Sequence, residues 1–181
     1  MPKPPSLTQV GRIDVFVSSS SEPEALHLRN ELDQIVMRLN VSLREAQVPL
    51  VLDLFHWWQP PPQRVRRRRV NRTFVDRALA SHAVFALLVR LIRPGTKDEI
   101  KEVYNKSSIP LSIFYCPPQG DPSTASWRLR LLFRWMSNRV IYKSCGDPYG
   151  TEAHNSLYDA LLQIALKHRG VPSTLMPYES R

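Results

Sequence analysis

Cysteine is scarce: Cys116 and Cys145 are the only two in 181 residues, too few for a disulfide framework in a domain of this size. No CxxC pair and no paired histidines accompany them, so two reduced thiols and no metal are expected. The 6 glycines form neither GxGxxG nor GxxxxGK[ST], which excludes a Rossmann fingerprint and a Walker A loop. Long apolar runs are missing too, and nothing approaches the roughly 18 residues needed to span a bilayer. The opening Met1-Pro2-Lys3-Pro4-Pro5 has no apolar h-region and does not read as a signal peptide. A cytoplasmic protein with no membrane partner is the expectation.

Acidic residues are outnumbered 25 to 16 by Lys and Arg, for a formal net charge of +9. Such a surplus fits nucleic acid, an acidic partner or a phosphorylated small molecule. It is concentrated in Arg64-Val65-Arg66-Arg67-Arg68-Arg69, in Arg72 and in the stretch 127–139. A charge run serves equally well as a solvated face. Hydrophobic residues at 43% are enough for one sizeable core. The organisation read from this is a flexible segment 1–11, a folded domain 12–169 and a flexible tail 170–181.

Along the chain, short apolar runs alternate with helical patterns. Ile13-Asp14-Val15-Phe16-Val17 is a buried strand ending in a polar turn, Ser18-Ser19-Ser20-Ser21. Ser21 and Glu24 fit a capping box, and a long amphipathic helix follows to about Glu45. Leu50–Phe55 is a second strand, carrying His56-Trp57-Trp58 at its end. Pro60-Pro61-Pro62 and the arginine run form a loop, and 71–81 a short helix. Ala83–Val89, the most apolar run, is the central strand of a sheet covered on both faces. Pro94-Gly95-Thr96 reads as a turn, 97–107 as a helix, 110–115 as a strand, 126–138 as a helix, 140–142 as a fifth strand and 151–168 as a closing helix. Repeated strand–helix alternation implies parallel strands with right-handed crossovers, an α/β three-layer sandwich around a five-stranded parallel sheet. Ligands of such sheets bind beyond the carboxyl ends of the strands.

Three clusters fall at those ends. Ser18, Ser19 and Ser20 offer hydroxyls and backbone N–H groups at a helix start, suited to phosphate or ribose oxygens, though a serine run there also serves as a plain cap. Trp57 and Trp58 point to opposite faces of their strand, one into the core and one toward the cleft, where a flat ring can stack on a base. Glu99 is placed in the first turn of the helix after the central strand, where the helix N-terminus holds a carboxylate ionised. One such carboxylate is the minimum equipment for breaking an N-glycosidic bond through an oxocarbenium-like state. Acidic residues such as Asp98, Glu99 and Glu102 also decorate helix starts without any chemistry.

Val15-Phe16-Val17-Ser18-Ser19, Leu28-Arg29-Asn30-Glu31-Leu32, the tryptophan after the second strand, the helix 75–79 and Gly95-Thr96-x-x-Glu99-Ile100 occur in an order that resembles the bacterial TIR-like proteins. The resemblance covers roughly residues 12 to 116. The Gly-Thr-x-x-Glu element is also similar in kind to that of nucleoside 2-deoxyribosyltransferases. It implies a flavodoxin/TIR-like fold and a hydrolase (NADase) whose substrate is NAD, cleaved at the nicotinamide–ribose bond by an antiviral defence effector. Glu99 takes the catalytic place, and Ser18 to Ser20 with Thr96 meet the ribose and diphosphate. Trp58 or Trp57 stacks on a base, and Arg90 or Arg93 neutralises phosphate. Activity is then expected to need a homo-oligomer or an activating protein partner. Ser81-His82 stands where the family often has an acidic residue, and the Arg64–Arg69 run is outside the pattern. Two alternatives stay open: a non-catalytic signalling or assembly module, and a basic nucleic-acid-binding protein acting through Arg64–Arg69.

Overall fold

The apolar runs pair side by side, as their β-branched and aromatic content favours. In chain order, the computed structural model contains β1 (Gly11–Ser19), α1 (Pro23–Glu45), β2 (Leu50–His56), α2 (Arg67–Ala80), β3 (Ala83–Leu88), α3 (Pro94–Lys106), β4 (Leu111–Tyr115), α4 (Trp127–Met136), β5 (Tyr142–Ser144) and α5 (Thr151–His168). The structure describes residues 10–56, 67–106, 108–136 and 142–168. All strand pairings are parallel, and the order across the sheet is β2-β1-β3-β4-β5. That order makes the fold flavodoxin-like. The chain winds outward from β1 to β2, then returns to build β3, β4 and β5 on the other side. The winding therefore reverses between β1 and β3.

The core is split by the sheet into two sides. Val15, Val17, Leu28, Leu32, Phe85, Leu87, Leu157 and Leu161 pack with α1 and α5 on one face. Leu88, Ile100, Ile113 and Leu129, together with Phe16, Phe74, Val84 and Val103, fill the other face under α2, α3 and α4. Every residue of β3 is buried, as a central strand with helices on both sides requires. Phe85 and Phe114 meet with ring centroids 5.2 Å apart.

Asn40, on α1, controls one edge of the sheet. Its side-chain amide donates to the Leu52 carbonyl at 2.9 Å and its carbonyl accepts from the Leu52 N–H at 2.8 Å. β2 is an edge strand, so Asn40 satisfies backbone groups that would otherwise face outward unpaired.

Several boundaries differ from those read off the sequence. β1 runs on through Ser18 and Ser19, which pair with Ala86 and Leu87 of β3, because the long apolar neighbour carries the ladder past the last apolar residue of β1. No capping box forms at α1: Glu22 is the N-cap, without a side-chain cap bond, and Pro23 takes the first helical position. The helix predicted for 71–81 starts earlier, at Arg67. β5 is Tyr142–Ser144, whereas 140 and 141, like 1–9 and 169–181, lie outside the described residues.

Candidate functional site

Strand alternation decides where the serines point. Phe16 belongs to the face covered by α2 and α3, and Ser18, two residues on, follows it. The Ser18 hydroxyl donates to the Glu99 carboxylate. Ser19 lies on the opposite face with Val15 and Val17, and its Oγ accepts from the Arg29 guanidinium at 3.2 Å. The Ser20 hydroxyl lies 2.5 Å from Glu22 Oε2. All three serines are buried. The expected shared patch of hydroxyls is thus divided between two layers, and each hydroxyl already has a partner within the fold.

α3 meets the end of β1 through one face. Thr96 and Glu99, three apart on a helix, lie on the same side. The Thr96 hydroxyl is 3.4 Å from the Ser19 carbonyl, and the Glu99 carboxylate accepts a hydrogen bond from the Ser18 hydroxyl. Both α3 side chains are buried, Glu99 to 5% exposure. This contact joins the carboxyl end of β1 to the helix after β3, at the point where the strand order reverses.

The sequence expectation for Glu99 needs correction. α3 begins at Pro94, with no acidic residue in its first turn, because proline's fixed φ suits the opening position of a helix. Glu99 therefore lies in the second turn, beyond the short reach of the N-terminal dipole. Burial dominates instead: desolvation raises the Glu99 pKa to about 7, the Ser18 hydrogen bond opposes that rise, and the Asp98 charge adds to it. The carboxyl is poised between its charged and neutral forms near neutral pH.

The charged residues of α1 and of the ends of β2 and β3 pair with one another in ways that sequence reading mostly missed. Arg90, after β3, forms an ion pair with Glu24 of α1. The own-backbone hydrogen bond and Arg90 together hold the Glu24 carboxyl below its usual range against desolvation. Arg29 is buried to 5% exposure; desolvation lowers its pKa and the Asp33 charge raises it. Asp33 also lies 2.7 Å from His56 Nε2. Arg29 was legible in principle, because it sits four residues after buried Ala25 on the inward face of α1. The partners of Glu24 and His56 carry no such signal. Arg93 is exposed. Trp57, Trp58 and 64–66 lie outside the described residues.

A cavity of about 240 Å³ opens between α1 and the start of α5, lined by His27, Glu31, Tyr149, Gly150, Thr151 and His154 among others. His154 Nδ1 lies 2.9 Å from Glu31 Oε2. The aromatic and basic residues of α4 do interleave, with the Arg128 guanidinium 5.2 Å from the Trp127 ring centroid. Among the described residues, no cluster of three or more His, Cys, Asp and Glu could hold a metal ion, and no helix is long and apolar enough to cross a membrane.

No protein-family profile matches the chain, and no curated protein matches it significantly. Solved structures do match. A conserved protein from Enterococcus faecalis V583 is 16% identical with a TM-score of 0.48, over 87% of this chain and 99% of the other. Rubredoxin oxygen:oxidoreductase from Desulfovibrio gigas is 10% identical with a TM-score of 0.48, over 91% of this chain and 38% of the longer one. An azoreductase from Bacillus anthracis is 10% identical with a TM-score of 0.40, over 88% and 99%. Likenesses this remote carry no functional conclusion.

Proposed function

We propose that this chain is a cytoplasmic, TIR-like hydrolase that cleaves the nicotinamide–ribose bond of NAD, with Glu99 as its catalytic carboxylate. One observation carries the reading. A glutamate with a pKa of about 7 is buried at the strand-order reversal of a parallel sheet, hydrogen-bonded to a serine at the end of β1. A carboxyl with a raised pKa at a ligand-binding crevice is a candidate for acid–base or electrostatic work.

In the proposed reaction the bond between the ribose anomeric carbon and the pyridinium nitrogen breaks. Its electron pair leaves with nicotinamide, which becomes neutral. The Glu99 carboxylate stabilises the positive charge that develops on the ribosyl group. Water adds to the anomeric carbon and gives up a proton, which Glu99 can accept because its pKa is close to the working pH. The products are ADP-ribose, nicotinamide and a proton. Ser18 orients the carboxylate, and Thr96 anchors the same face of α3 to β1.

Glu99 is 5% exposed and its serine neighbours are all engaged. That closed arrangement supports a requirement for activation by self-association or a partner, as in a defence effector that is silent until triggered. The experiment is NAD loss, read as nicotinamide release by chromatography, for the parent and Glu99→Gln across a range of protein concentrations. Release by the parent alone is expected; release by the variant at the parental rate sinks the assignment.

The same closure favours a second reading, a non-catalytic assembly module in which Ser18 and Glu99 only tie α3 to β1. It predicts no NAD loss at any concentration and partner binding that survives Glu99→Gln.

A further inference from the structure

Two acidic residues at the start of α1 reach across the strand-order reversal to the segment that follows β3. The Leu91 N–H donates to Glu22 Oε2 at 3.2 Å, and the Arg90 guanidinium is held by Glu24. These contacts join positions far apart in sequence, and they bridge the two loops between which a ligand of this fold would enter. A favourable interaction with the α1 N-terminus accounts for an acidic residue at position 24. It does not account for both carboxylates being turned onto the opposite loop.

Arg90 and Leu91 present, on successive residues at the carboxyl end of the central strand, one guanidinium and one backbone N–H. That is a donor pair suited to a phosphate, and here carboxylate oxygens from the same chain occupy it. The occupation is imperfect. Glu24 is 8% exposed, and its Oε2 is buried with no hydrogen-bond partner, so burial works against the charged form even though the backbone and Arg90 hydrogen bonds outweigh it. A latch that burial opposes is one that a better-fitting anion can open.

We propose that the Arg90 guanidinium and the Leu91 N–H form a phosphate subsite for a diphosphate-bearing nucleotide, and that Glu22 and Glu24 are a built-in latch that fills it in the resting chain. The proposal rests on reading Glu99, at the strand-order reversal, as the catalytic carboxylate of a nucleotide site. Opening the latch frees two donors and removes two carboxylates that repel the incoming phosphates. It thereby gives the expected dependence on activation a physical location.

The test is binding of inorganic pyrophosphate and of ADP to the full chain by calorimetry at low ionic strength. The parent is compared with Glu22→Gln/Glu24→Gln, and with the same double variant carrying Arg90→Ala. Removing the competing carboxylates is expected to tighten both ligands about tenfold or more, and Arg90→Ala is expected to cancel that gain. A double variant that melts like the parent and binds no tighter overturns the latch. Should the double variant fail to fold, the unaltered protein decides. Saturating pyrophosphate must shift the Arg90 side-chain resonance, assigned by its loss in Arg90→Lys, and an unmoved resonance or no binding at all overturns the proposal. None of these measurements uses turnover. Failure of NAD cleavage therefore leaves the latch standing, and failure of the latch leaves the Glu99 experiment intact.

Discussion

The Ser18 hydroxyl donates to the Glu99 carboxylate across the seam between the end of β1 and the second turn of α3. It is the polar contact that opposes the upward push of burial on the Glu99 pKa. Replacing Ser18 by Ala removes the donor and leaves desolvation unopposed, so the Glu99 pKa is expected to rise above about 7. Carboxyl-carbon NMR titration of Glu99 in the parent and in Ser18→Ala measures it. A downward or absent shift would show that the hydroxyl does not set the protonation of Glu99. If Glu99 acts as a carboxylate, the rising limb of NAD cleavage with pH moves upward in the same variant.

Stability should also report Glu99. Its folded pKa of about 7 lies above the value of 4.5 for an exposed glutamate, so the folded state binds the proton more tightly than the unfolded chain does. The sign follows: its contribution is fully present below about pH 4.5 and is lost as pH rises through about 7. At about 1.4 kcal/mol per pKa unit the whole loss is on the order of 3 kcal/mol. Glu99→Gln, which stays neutral, should be more stable than the parent at pH 8 and nearly equal to it at pH 4. Denaturant melts at the two pH values decide, and an equal difference at both would remove burial as the cause.

Asn40→Ala is expected to destabilise the fold by about 1–3 kcal/mol. It strips the Leu52 N–H and carbonyl of their side-chain partners on an edge strand. A urea midpoint unchanged from the parent would mean that water replaces the amide without loss.

Phe85→Ala should cost about 3–5 kcal/mol. Phe85 is fully buried in β3 and packs against Phe114 of β4 with the ring planes tilted by 55°. The close packing of a strand covered on both faces leaves little room for collapse around the gap. Chemical denaturation gives the value, and a loss under 1 kcal/mol would contradict a rigid core there.

The sheet was legible because its signal is local. Ala83–Leu88 is apolar at every position, and so short a run between turn signals suits a strand buried on both faces. α1 matched its predicted end at Glu45, since the spacing of Leu28, Leu32, Ile35 and Leu39 is periodic. The start of α3 was misplaced because Pro94-Gly95-Thr96 reads as a turn, while proline is equally at home as a first helical residue. That one boundary moved Glu99 into the second turn, away from the helix N-terminus; burial then set the upward direction of its pKa shift.

Taken alone, the sequence determined the α/β alternation, the central place of β3 and the position of Glu99 just beyond it. All of these follow from hydrophobic periodicity within short windows. Tertiary structure alone decided that Ser18 and Ser19 turn to opposite faces with different partners, that Glu24 holds Arg90, and that Glu99 is buried enough to titrate near neutrality. Those relations join groups from separate elements. They depend on which strands become neighbours and on how much water their packing excludes, and no local pattern encodes either.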